Sequence, residues 1–173
     1  MTRYLLPVAA AVLGAGALLG AGVALAAGCD APLDAAEKLN DTPYHMTMTT
    51  TDPSGRDPEV SELISTEDAT YVLLRGTWHP GPKEALTLGD LDDMAEAEQY
   101  MTCELVRSEE TAGKTADVWQ IVDQSDPNEL KHQTVWIARE TGLIVRMAVE
   151  IGDAGSASRM SAEIDYENVL APR

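Results

Sequence analysis

The chain has 173 residues, 12 Lys+Arg against 29 Asp+Glu, a net charge of −17, two cysteines and no phenylalanine. That length holds one domain, or one domain and a targeting segment. The acidic balance excludes a nucleic-acid backbone binder, because no basic surface is available to displace counterions. Two cysteines are too few for a disulfide-dense scaffold or a four-thiolate zinc site.

Arg3 is the only charge before Asp30, and Leu5 to Ala27 is entirely apolar or small, ending Ala24-Leu25-Ala26-Ala27-Gly28. A positive tip, an apolar stretch and small residues at the exit make an export signal over residues 1–28. The stretch is long enough to span a bilayer, yet its Ala/Gly composition and small-residue exit favour cleavage over a permanent anchor. Residues 29–173 are then one exported, periplasmic domain. Two cleavage routes stay open. Ala24-Leu25-Ala26 suits an ordinary signal peptidase and a soluble product. Ala26-Ala27-Gly28-Cys29 is close to a lipobox, with Leu25 one residue too early, and would leave Cys29 lipidated in a membrane-anchored lipoprotein. In the first case Cys29 and Cys103 can form a disulfide. In the second, Cys103 is a lone thiol in an oxidising compartment.

Pro32 to Leu39 has helical spacing in Leu33, Ala36 and Leu39, with Asp30 as cap and Pro43 as terminator. Period-2 alternation then takes over. Tyr44, Met46 and Met48 share one face, and His45, Thr47 and Thr49 the other. Val60–Ser65 and Ala69–Leu74 read as strands around the Thr66-Glu67-Asp68 turn, and the chain past Trp78 reads as irregular through His79-Pro80-Gly81-Pro82. Leu88, Leu91, Met94 or Ala95, and Met101 make the apolar face of a helix opposite Asp92, Asp93 and Glu96. Strands follow at 103–109, 116–123, 131–139, 143–151 and 158–168, divided by turns short enough to force antiparallel pairing. Leu143, Val145, Met147, Val149 and Ile151 are expected on one face, as are Met160, Ala162, Ile164 and Tyr166. The opposite face of the last strand is charged, which describes a sheet solvated on its outside.

Residue types that carry chemistry do not converge. His45, His79 and His132 sit on separate elements, and no metal ligand set or cofactor motif is visible. Met46 and Met48 have the soft sulfur that copper favours, but the strand pleat points His45 away from them. Asp90, Asp92 and Asp93 lack the glycine and glutamate of a calcium loop. There is no G-x-S-x-G turn or Gly-rich phosphate loop, Cys103 has no histidine partner, and among 29 acids no carboxylate pair stands out. The reading is a non-enzymatic protein with no cofactor.

Val135-Trp136-Ile137-Ala138-Arg139-Glu140-Thr141-Gly142-Leu143-Ile144-Val145-Arg146 resembles the strand-turn-strand hairpin of the LolA/LppX-like envelope proteins, and Tyr166-Glu167-Asn168-Val169-Leu170-Ala171-Pro172 resembles their C-terminal end. Tyr44 to Thr49, Trp78, Cys103-Glu104-Leu105-Val106 and Gly113 are similar to small secreted proteobacterial proteins of the same shape. In that group an early cysteine follows an ordinary signal sequence, which supports the Cys29–Cys103 pairing. The resemblance implies an α+β, mainly antiparallel fold: an unclosed half-barrel of seven to nine strands with a helical lid and a short N-terminal helix. It also implies a hydrophobic ligand, a lipid or acyl chain, or an envelope partner on the concave face. Met46, Met48, Leu91, Met94, Val145, Met147, Val149, Met160 and Ile164 are the expected lining. The alternative is an envelope interaction module, lipid-anchored through Cys29, whose core is closed. The absence of phenylalanine separates this chain from aromatic-rich lipoprotein-carrier cavities.

Overall fold

Short turns between consecutive strands allow only antiparallel neighbours, so the chain is bound to build a meander. The computed structural model describes residues 28–54, 57–81, 100–111, 113–124, 131–151 and 157–172. Within them lie one helix, α1 (Asp30–Asp41), and nine strands: β1 (Tyr44–Thr51), β2 (Glu59–Ser65), β3 (Thr70–Leu74), β4 (Thr77–Gly81), β5 (Met101–Thr111), β6 (Lys114–Asp123), β7 (Lys131–Ala138), β8 (Ile144–Ile151) and β9 (Ser158–Asp165). They form one antiparallel sheet in the order β4-β3-β2-β1-β9-β8-β7-β6-β5. The chain runs outward from β1 to one edge, restarts at β5 on the other, and works back until β9 pairs with β1. Met46 then lies opposite Ile164, and Met48 opposite Ala162. Among the described residues nothing pairs with the outer sides of β4 and β5, so the sheet is unclosed.

Four expectations change. The residues past Trp78 are a strand, not an irregular segment: β4 is an edge, where Pro80 opposite Tyr71 is tolerated because no ladder bond is asked of its missing N–H. Asp30 is the first residue of α1 rather than its cap. Cys29 holds the capping position without a side-chain bond, and the Asp30 carboxylate suits the helix N-terminus. Met101 opens strand β5 instead of closing a helix. The rest of the expected helical lid, with Leu91 and Met94, lies outside the described residues, as does the signal segment over 1–27.

The fourth change concerns strand faces. The β7–β8 register shifts between Trp136 and Ile137, so Trp136 faces Arg146 while Ile137 faces Ile144. The residue between, Val145, is therefore turned over, because a bulge breaks the period of two. Ile144, Met147, Met46, Leu63, Trp119, Ile121, Val135, Ile137, Ala162 and Ile164 fill the inner core with Tyr44 and with Ala35 and Leu39 of α1. Val145 joins Ala116, Val118, Trp136 and Ala138 in a second core on the outer face. The outside of the sheet is thus not wholly solvated.

Candidate functional site

Helix α1 lies on the inner face against β7 and β8. Its N-terminus is covalently placed: Cys29 is bonded to Cys103 of β5, with Cα atoms 5.1 Å apart and a sequence separation of 74. The Cys29 carbonyl also accepts the first helical hydrogen bond from Leu33 N at 3.0 Å. Since the sulfur of Cys29 is occupied, it cannot also carry a thioether lipid. At the far end Lys38 extends over the β7–β8 turn, its Nζ donating to the Thr141 carbonyl at 3.5 Å. Gly142 in that turn has φ +70°, and a Cβ there would stand 2.5 Å from Lys38 Nζ. Glycine meets both demands at once.

Between helix and sheet is a recess lined by Pro32, Leu33, Ala36, Leu39, Asn40, Met101, Ile121, Gln133, Val135, Ile144 and Met147, with about 40 Å³ of free space. Every lining residue except Asn40 and Gln133 is apolar. The helix seals its sheet side with small residues, Pro32 and Ala35, plus Leu39, all buried. Leu33 and Ala36, which recur at helical spacing with Leu39, border the recess with it.

Of the residues expected to line a cavity, Met46, Met147 and Ile164 are buried in the inner core and Met48 packs against it. Val149 is buried opposite Met160, on the inner side with Gln133. Among the described residues of that set, only Met147 borders the recess. Val145 belongs to the outer cluster, for the reason given by the bulge. The recess is instead framed by Ile121, Val135 and Ile144, whose signal was the alternation of Trp119 with Ile121 and of Val135 with Ile137. The pleat of β1 turns His45 to the outer side, where its Nε2 lies 3.0 Å from Glu62 Oε2, away from Met46 and Met48.

Two phenols close the core beside β8. Tyr44 and Tyr166 meet edge to face with centroids 6.5 Å apart, and Tyr166 Oη donates to the Ile144 carbonyl at 2.6 Å. Burial pushes both hydroxyls above the ordinary phenol range; for Tyr166 its neighbour Tyr44 adds to this, whereas a hydrogen bond with Ser65 opposes it for Tyr44. Both stay neutral at ordinary pH, which suits a site made for apolar contact.

No described helix is long and apolar enough to cross a membrane. No protein-family model matches the sequence, and no curated protein matches it. Solved structures do match. MucB in its Pseudomonas aeruginosa complex with MucA is similar at 16% identity and a TM-score of 0.56, over 83% of this chain and 58% of that one. MucB alone gives 16% and 0.54, over 83% of this chain and 60% of that one. The Mycobacterium tuberculosis lipoprotein LppX gives 15% and 0.47, over 83% of this chain and 95% of that one. This chain therefore spans less than two thirds of MucB, and the likeness is one of fold. LprF from Mycobacterium bovis and a LolA-superfamily protein from Nitrosomonas europaea are also among the structural neighbours.

Proposed function

We propose that this is an exported, non-enzymatic envelope protein that takes an aliphatic chain, a lipid or acyl group, between α1 and the inner face of its sheet. The observation that carries the reading is the apolar recess under α1. Its present space of about 40 Å³ is far below the roughly 300–1,000 Å³ of ordinary ligand pockets, so binding requires α1 to lift. The energetics permit that. Exposing Leu39, the Ala35 methyl and the Pro32 ring costs about 4–6 kcal/mol, and six or seven newly buried methylenes at about 0.8 kcal/mol each return about 5 kcal/mol. The flexible thioethers of Met101 and Met147 can reshape around chains of different length. The export signal read in residues 1–28 supports a periplasmic location, and the Cys29–Cys103 bond supports an oxidising one.

Titration with a fluorescent fatty acid tests the reading. Saturable uptake is expected, and Ala36→Leu, which extends a side chain into the recess, is expected to weaken it at least tenfold. A chain that never takes up the probe would refute ligand binding. A second reading, a closed-core module that binds an envelope partner, is favoured by the smallness of the recess. MucB, which shares the fold, is itself solved in complex with MucA. That reading expects no uptake and an unchanged surface in Ala36→Leu.

A further inference from the structure

The outer face carries a second depression, separate from the recess and independent of the reading above. It holds about 560 Å³ and is bordered by His45 and Thr47 of β1, Val145 and Arg146 of β8, Glu163, Ile164 and Asp165 of β9, Glu167 just beyond, and Thr111 and Lys114 at the β5–β6 turn. That volume is within the range of small-molecule sites.

Its cation Arg146 lies in the field of Glu109, whose carboxyl it helps to hold below the usual range, and not in an ion pair. Arg146 and Glu163 lie directly opposite each other on β8 and β9, where side chains of opposite sign ordinarily pair. Among the described residues neither makes an ion pair, and Lys114 makes none. The reason lies on the other side of Arg146. Its guanidinium carbon sits 4.9 Å from the centroid of the Trp136 ring, and its Nε is shielded from solvent without a hydrogen-bond partner. Trp136 is itself fixed, its Nε1 donating to Glu109 Oε1 at 2.6 Å, while Arg107 Nε donates to the other Glu109 oxygen at 2.6 Å. The stack therefore seats Arg146 on the indole of the outer core, and it forms no ion pair with Glu163.

Cations at Arg146 and Lys114, with the hydroxyls of Thr47 and Thr111, suit an oxyanion. Carboxylates at Glu163, Asp165 and Glu167 would repel a simple anion but welcome an ammonium group beside it. We infer that this depression is a binding site for a zwitterion of the phosphoethanolamine class, its phosphate at Arg146 and Lys114 and its ammonium at Glu163. The same chemistry is offered by the free compound and by the headgroup of a phospholipid.

Isothermal titration with O-phosphoethanolamine, with inorganic phosphate and ethanolamine as separate arms, tests the assignment. Phosphoethanolamine is expected to bind at least tenfold tighter than either half. Arg146→Gln is expected to abolish that preference. Because Arg146 rests on the outer core, the surface changes Lys114→Gln and Glu163→Gln are measured beside it, each with an expected loss of fivefold or more. Flotation with phosphatidylethanolamine vesicles separates the sources: flotation assigns the site to a headgroup, and titration without flotation to the free compound. Phosphate binding as well as phosphoethanolamine, affinities unmoved by Lys114→Gln and Glu163→Gln, or no binding of either form would overturn the inference.

Discussion

Replacing Cys29 and Cys103 together by alanine removes the cross-link while adding no hydroxyl at Cys29, which is buried. Two effects follow from the geometry. The bond closes 74 residues of chain, and in the chain-entropy model a loop of that length stabilises the fold by about 4 kcal/mol. The bond also fixes the start of a helix of 12 residues, near the lower limit of about 12–15 at which isolated helices persist. Without it, the contacts among the described residues that hold α1 are those of buried Pro32, Ala35 and Leu39 and of Lys38. Urea unfolding of the native and double-alanine chains, fitted with a common slope, is the assay. The variant is expected to lose about 3–5 kcal/mol and to become open to proteolysis within residues 30–41 before the sheet unfolds. A loss under about 1 kcal/mol, with α1 still protected, would refute the tether, since it would mean that side-chain packing alone seats the helix.

Met147, 2% exposed at the junction of recess and core, is expected to cost about 2–5 kcal/mol when cut to alanine, read from the same urea curves. Gly142→Ala forces a left-handed φ on a residue with a Cβ and displaces Lys38; a loss of about 1–2 kcal/mol is expected in thermal melts. Tyr44 and Tyr166 have hydroxyl pKa values held above the ordinary 10.0 in the fold, so the unfolded chain loses those protons first. Their stabilisation is complete below about pH 10 and is lost as pH rises beyond it. Tyr166→Phe is expected to flatten that alkaline fall and to cost about 1 kcal/mol at neutral pH for the bond to Ile144; melts from about pH 8 to about pH 11 read both.

The sheet was legible because period-2 alternation and short polar turns each have one physical meaning. Tyr44, Met46 and Met48 share the inner side as their spacing requires, and Thr66 closes its turn by bonding Ala69. The cysteine pairing was legible only as one of two routes, because acylation and oxidation ask for the same sulfur. What escaped were features that depend on position in the finished sheet. Pro80 reads as a strand breaker until β4 is known to be an edge. Val145 reads as a cavity residue until the bulge after Trp136 turns it outward, and a bulge leaves no mark on hydrophobic periodicity. The outer core was missed for the same reason: Ala116 and Val118 of β6 and Trp136 of β7 look like ordinary alternation within two strands, and only the register sets Arg146 opposite Glu163 while it lies over the indole.

The most direct test of the central claim, that α1 and the inner face part to admit an aliphatic chain, is native mass spectrometry of the protein isolated from its own envelope without detergent. An adduct with the mass of a lipid or fatty acid is expected, released by organic solvent and lost from Ala36→Leu. Protein recovered only at the mass of its bare, disulfide-bonded chain, and still bare after incubation with fatty acid, would contradict the account.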